Sequence, residues 1–106
     1  MTDNSKRAAL LNQAHQHMPM GVADSYRYWG EHNTVFLKSM LGATITDCDD
    51  QVLVDFRLAY GPIILGYRDQ RVDQAVIDTI RNVGTLSGFS TALDAEVISL
   101  IKSMCP

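Results

Sequence analysis

The sequence predicts an α+β fold, on three observations. Apolar residues recur at helical spacing near the start of the chain and twice more towards its end. Short β-like runs cluster between residues 35 and 56, and turn residues, not crossover helices, separate them. Strands joined by tight turns pair antiparallel, so the runs read as a small antiparallel meander among three helices.

The first helix is predicted over Ser5 to His17. Ala8, Leu11, His15 and Met18 recur on one face, with Leu10 and Ala14 beside them. Asn4 or Ser5 supplies a side-chain oxygen for the free amides of the first turn, and Pro19 and Gly21 end the helix. Residues 22–34 read as an irregular polar and aromatic loop. The three strands are Val35 to Met40, Ala43 to Asp47 and Val52 to Phe56. Gly42 separates the first two. The turn Cys48-Asp49-Asp50-Gln51 separates the second and third, because carboxylates there can accept from nearby backbone amides.

The glycine-punctuated run Tyr60-Gly61-Pro62-Ile63-Ile64-Leu65-Gly66-Tyr67 has an apolar centre too short for a helix. A second helix follows over Gln70 to Val83, with Val72, Val76, Ile80 and Val83 on one face and Gly84 at its end. After a second small loop, the last helix starts near Ala92 and carries a stripe of Leu93, Val97, Leu100, Ile101 and Met104. Few short strands and striped helices do not make a complete core. A chain whose last helix runs directly into Pro106 reads as cut, since the stripe still needs something to pack against.

Composition narrows the function classes. The 106 residues are 46% hydrophobic and 20% charged, with a net charge of -3, which suits one small domain or part of a larger one. Scattered Lys and Arg give no basic patch for nucleic acid. No stretch of about 18 apolar residues offers a membrane span, and the polar start offers no secretory leader, so a cytoplasmic protein is expected. Cys48 and Cys105 follow no CxxC spacing and read as reduced thiols.

Several residues invite chemistry. An EF-hand beginning at Asp47 requires Gly at position 52 and Glu at position 58, where the chain has Val52 and Leu58, so the acidic cluster reads as a solvated turn. His15 and His17 fall on different faces of a helix, and neither belongs to an HExxH pair. The glycines Gly61, Gly66, Gly84 and Gly88 spell neither GxGxxG nor a Walker loop. Arg27, within Asp24-Ser25-Tyr26-Arg27-Tyr28-Trp29, either presents its planar fork to a carboxylate or stacks on a ring at the surface. Tyr60 either lines a pocket or fills a core.

The order of motifs resembles the start of the class III pyridoxal-phosphate (PLP) aminotransferases, the glutamate-1-semialdehyde aminomutase group above all. The stretch Pro19-Met20-Gly21-Val22-Ala23-Asp24-Ser25-Tyr26-Arg27 is similar to the family's Pro-Gly-Gly-Val-Asn-Ser-Pro-Val-Arg. Gly42 to Asp55 follows its Gly-Ala-x-x-x-Asp-x-Asp-Gly-x-x-x-x-Asp strand pair, with Asp50 in place of the turn glycine. Gly61-Pro62-Ile63-Ile64-Leu65-Gly66-Tyr67 follows Gly-Pro-x-Ile-Leu-Gly-His, and the run from Gly84 through Gly88, Thr91 and Glu96 follows its next loop and helix. The set is colinear and covers nearly the whole chain.

The resemblance implies that residues 1–60 are the helix and meander of a small domain, and that residues 61–106 lead into a large PLP-binding domain. It implies that Arg27 binds the substrate carboxylate, that Tyr60 stands where the family has a pocket tryptophan, and that Asp24 replaces a serine near the substrate. A homodimer acting on a small amino acid or keto acid is implied for the intact enzyme. The family's phosphate loop, pyridine-binding aspartate and Schiff-base lysine come later in its sequence, and Lys6, Lys38 and Lys102 match none of them. The segment is therefore expected to serve substrate recognition and to be inactive alone. The rival expectation is a truncated remnant that binds a partner or has no activity.

Overall fold

A side-chain oxygen just ahead of an apolar-periodic run is where a helix can begin, and Ser5 takes that place in the computed structural model. Its hydroxyl accepts from the Ala8 amide at 3.2 Å, and helix α1 spans Lys6–His15. The structure describes residues 5–85 and 88–105, so Asn4, the alternative cap, and Pro106 lie outside the described residues. The amides of Lys6 and Arg7 are taken by the carboxylate of Asp49, at 2.7 and 3.1 Å, from more than forty residues along the chain. A carboxylate at a helix N-terminus satisfies free donors and meets the positive end of the helix dipole. The helix stops two residues short of the expected His17. The amides of His17 and Met18 both turn back to the Ala14 carbonyl, and Met18, extended at φ -133, must accommodate Pro19.

The chain divides into two compact units, Met1–Gln70 and Arg71–Pro106. In the first, Leu11 of α1 is the one buried apolar side chain among the described residues, at 2% exposure. It packs against Gly21, which sits at φ +65 and where an added Cβ would lie 2.7 Å from Leu11 Cδ1. Glycine is required there by both conformation and space.

The expected meander is present. Strands β1 (Leu37–Leu41), β2 (Thr44–Asp47) and β3 (Val52–Val54) form one antiparallel sheet in the order β1-β2-β3. Leu41 faces Thr44, and Ile45 faces both Met40 and Leu53. A bulge between Leu37 and Ser39 irregularises the start of β1, which begins two residues later than the sequence pattern suggests. β3 stops at Val54 and not at Phe56, because the Asp55 carboxylate captures the amides of Arg57 and Leu58 and turns the chain away. The β2–β3 turn closes on Asp47, whose Oδ1 accepts from Asp49 and Gln51 at 2.9 and 2.8 Å. Asp50 in that turn is left-handed at φ +69, the conformation a glycine adopts most freely.

Beyond the sheet, Tyr67 forms an isolated antiparallel bridge to Gly42, with N–H···O distances of 2.9 and 2.8 Å. Its neighbour Gly66 lies so close that an added Cβ would be 3.1 Å from the Gly42 carbonyl oxygen. In the second unit, α2 spans Gln70–Asn82 and α3 spans Ala92–Met104. The Thr91 amide donates to Asp94 Oδ2 at 2.8 Å at the start of α3. Helix α2 ends one residue before the expected Val83, whose amide still reaches the Thr79 carbonyl as the chain unwinds into Gly84.

Candidate functional site

The residues that meet in one place come from two segments, the loop after α1 and the turn after β3. The loop is pinned by Thr34, which is 1% exposed. Its Oγ1 accepts from the Trp29 amide at 3.1 Å and donates to the Gly30 carbonyl at 2.8 Å. Upstream, Ser25–Arg27 forms a single 3-10 turn, with the Arg27 amide on the Asp24 carbonyl at 3.0 Å. The Trp29 indole N–H then reaches back to the Tyr26 carbonyl at 3.2 Å. These bonds present Tyr26, Arg27 and Trp29 side by side.

The second segment begins at Asp55. One carboxylate oxygen accepts from the Arg57 amide at 2.7 Å, and the other from the Leu58 amide at 3.2 Å and the Tyr67 hydroxyl at 2.6 Å. The Tyr67 bond, helped by the amides, holds the Asp55 carboxyl below its ordinary range, and the same bond lifts the Tyr67 phenol above its own. Tyr67, which stands where the family pattern has histidine, thus fastens the turn. Leu58, Ala59 and Tyr60 follow at φ 51, 49 and 65, one left-handed turn built from residues with side chains. It is closed by bonds from Tyr60 and Gly61 to the carbonyls of Arg57 and Leu58, both 2.9 Å. Such a conformation costs about 1–2 kcal/mol per residue, so surrounding contacts must hold it in place.

The turn brings Tyr60 against Arg57 and Tyr26. The Arg57 Cζ lies 4.6 Å from the Tyr60 ring centroid, 4.9 Å from that of Trp29 and 5.9 Å from that of Tyr26. The Tyr26 and Tyr60 rings meet edge to face, 5.3 Å apart at 85°. Arg57 also donates to the Tyr26 carbonyl at 3.3 Å and to the Tyr60 hydroxyl. Arg27 sits on the same tyrosine, its Cζ 5.4 Å from the Tyr26 centroid and its Nε and Nη2 donating to the Tyr26 hydroxyl at 3.3 and 3.2 Å. That hydrogen bond raises the Arg27 pKa further, so the group stays cationic. Asp24 lies beside Arg27, where its charge adds a smaller stabilisation of the cation, while its Oδ1 accepts from the Ser25 hydroxyl at 3.4 Å.

Of the residues singled out in the sequence, Arg27 and Tyr60 therefore meet at one tyrosine, with the Asp24 charge acting on Arg27. Arg27 does stack on a ring, and Tyr60, 66% exposed, fills no core. Sequence reasoning missed Arg57, together with Tyr26 and Trp29 as its cage. The aromatic spacing around Arg27 was a signal for two of them. Nothing in Asp55-Phe56-Arg57-Leu58-Ala59-Tyr60 announces a left-handed turn, and without it Arg57 and Tyr60 read as the tail of a strand and the start of a loop.

The acidic turn has a different use. Asp49 caps α1, Asp47 closes its own turn, and Asp50 pairs with Lys6 at 3.6 Å and with Lys38. The Lys38 hydrogen bond and charge lower the Asp50 pKa and raise that of Lys38. His15 Nε2 lies 3.4 Å from Glu31 Oε1, which also accepts from the Tyr28 hydroxyl at 3.0 Å.

Comparison with known proteins extends the picture. No family model matches the chain. Over 106 residues it is 31% identical to a 3-aminobutyryl-CoA aminotransferase of Cloacimonas acidaminovorans, covering 96% of this chain and 25% of that one. It is 34% identical, over 96% of its length, to 25% of a glutamate-1-semialdehyde 2,1-aminomutase of a Sulfurihydrogenibium strain. Among solved structures, an omega-transaminase from Sphaerobacter thermophilus shares the fold at a TM-score of 0.86 and 24% identity, over 96% of this chain and 23% of that one. A transaminase solved with PLP bound matches at a TM-score of 0.82 and 26% identity, over 92% of this chain and 23% of its own. The chain spans about a quarter of the length of the curated relatives it matches.

Proposed function

This chain belongs, by sequence and by fold, with a quarter-length segment of the PLP-dependent aminotransferases and aminomutases, and from that relationship we propose that it supplies substrate recognition to an enzyme moving an amino group on an amino acid or amino-keto acid. The observation that carries this reading is the placement of Arg27 and Tyr60 about Tyr26, with Asp24 alongside.

The chemistry of each group suits that role. One edge of the Arg27 guanidinium is held by the Tyr26 hydroxyl, which fixes the plane of the fork and leaves its other N–H groups for a carboxylate. Tyr60 and Tyr26 form an aromatic wall that limits how a substrate lies beside the fork. Asp24 adds a negative charge nearby, which favours the ammonium of an amino acid and opposes a carboxylate placed on the wrong side.

We assign no residue of this chain to a PLP site. Lys6 and Lys38 are both paired with Asp50 at the acidic turn, and Lys102 lies in the last turn of α3 in the other unit. No group of this chain is therefore assigned to the chemical step, and PLP, the cofactor of the family, is held by other residues of the intact enzyme. We read that enzyme as a class III, cytoplasmic homodimer. Apolar side chains such as Phe56 and Ile64, 91% and 78% exposed, support further protein surface around this segment.

The test is Arg27→Ala in the intact enzyme, assayed with an amino acid and with the matching amine that lacks the carboxylate. A hydrogen-bonded charge pair contributes about 1.5–3 kcal/mol, so KM for the amino acid should rise tenfold or more while the amine is used unchanged. Equal effects on both substrates would remove Arg27 from carboxylate recognition.

A further inference from the structure

Arg57 raises a question that carboxylate recognition by Arg27 leaves open. Two guanidinium groups share one tyrosine, at 5.4 and 5.9 Å from its centroid, in a chain whose net charge is -3. Among the described residues, neither arginine has a carboxylate within ion-pairing distance. Asp24 acts on Arg27 only as the smallest influence on its titration, and the neighbouring carboxylates have other hydrogen-bond partners. Asp55 has its oxygens on the Arg57 amide, the Leu58 amide and the Tyr67 hydroxyl, and Asp24 accepts from Ser25. Asp55 feels the Arg57 charge only as the weakest influence on its titration.

The Arg57 side chain is also fixed. Three rings surround it, and its Nη2 is held by the Tyr26 carbonyl and the Tyr60 hydroxyl. A caged guanidinium loses little further freedom when it binds, and rings on its faces leave only the outer edge of the fork for a ligand. Two cationic groups set on one tyrosine are satisfied together by a ligand with two negative groups, whereas a ligand with one negative group satisfies only one of them.

We propose that Arg57 and Arg27, joined through Tyr26, form a two-point anion site, so that the substrate of this enzyme carries two anionic groups. This rests on the reading of Arg27 as a carboxylate anchor and deepens it. Arg57 is a specificity-determining residue, and the Tyr26 ring sets the separation of the two contacts.

Trp29 is the single tryptophan of the chain and lies 4.9 Å from the Arg57 Cζ, so its fluorescence reports occupancy of the site. The full chain is titrated with glutarate and with butyrate, which is glutarate with one of its two carboxylates replaced by hydrogen. Glutarate should shift the Trp29 emission and bind at least tenfold more tightly than butyrate. Arg57→Met should abolish that preference, and Arg57→Lys should restore part of it, which a merely structural role for Arg57 would not do. Far-ultraviolet circular dichroism of each variant shows whether the fold is intact.

Equal affinity of wild-type chain for the two probes, or no response to glutarate, overturns the proposal. So does an undiminished glutarate preference in Arg57→Met, or an Arg57→Lys variant that recovers none of the preference lost in Arg57→Met. Failure of the underlying reading looks different: Arg27→Ala then leaves butyrate affinity unchanged.

Discussion

Replacing Thr34 by valine keeps the shape of a side chain that is 1% exposed and removes only its hydroxyl. Two hydrogen bonds disappear, the 3.1 Å bond from the Trp29 amide and the 2.8 Å bond to the Gly30 carbonyl. The Gly30 carbonyl keeps the Thr34 amide at 3.2 Å, so it is not orphaned. The Trp29 amide loses its acceptor, and leaving such a group unsatisfied costs about 1–3 kcal/mol. Thr34→Val should therefore destabilise the first unit by about 2 kcal/mol. With a urea dependence of about 1.5 kcal/mol per molar, the midpoint falls by roughly 1.3 M. Thr34→Ser is the control. It keeps both bonds and loses one methyl, worth about 0.8 kcal/mol in transfer, for a fall of roughly 0.5 M. Urea unfolding followed by circular dichroism and by Trp29 emission gives both numbers. If the valine variant is as stable as the serine variant, the hydroxyl does not anchor the loop and the placement of Tyr26 and Trp29 needs another cause.

Two further outcomes are expected from the same part of the fold. Asp49→Ala should cost about 1 kcal/mol, the usual worth of a helix cap, with Asp49→Asn falling between it and the parent. The loss should appear as reduced helical ellipticity. The Asp55 carboxyl, held below its ordinary range chiefly by Tyr67, contributes stability that is fully present above its unfolded value and is lost as pH falls through its folded one. Urea midpoints measured from pH 7 down to pH 2 should fall less steeply at the acid end in Tyr67→Phe than in the parent chain.

Much of the architecture was legible because it follows from local rules. Ser5 as cap, the helices α2 and α3 and the three antiparallel strands all sit where periodicity and turn residues put them. The differences arise where a distant group decides. β3 ends early because the Asp55 side chain takes the backbone amides that would have continued the strand, and α1 ends early because Pro19 constrains Met18. The candidate site was half legible. Arg27, Asp24 and Tyr60 stand out through composition and through resemblance. Arg57 does not, because its role depends on three consecutive left-handed residues that no propensity favours. The cysteine-containing acidic turn was legible as a turn, but its long-range bond was not. Its carboxylates read in the sequence as a solvated turn, and in the structure they close that turn and also cap a helix more than forty residues away.

The bond between Asp49 and the start of α1 also makes the helix depend on the hairpin. Helix α1 has ten residues, and an isolated helix of that length is marginal in water. Two of its first amides find their acceptor on the turn that joins β2 and β3. A hairpin linking neighbours in sequence closes a short loop, whereas joining residue 6 to residue 49 closes a long one. Loop-closure entropy therefore favours early closure of the hairpin, with the amino-terminal helix gaining its cap from it.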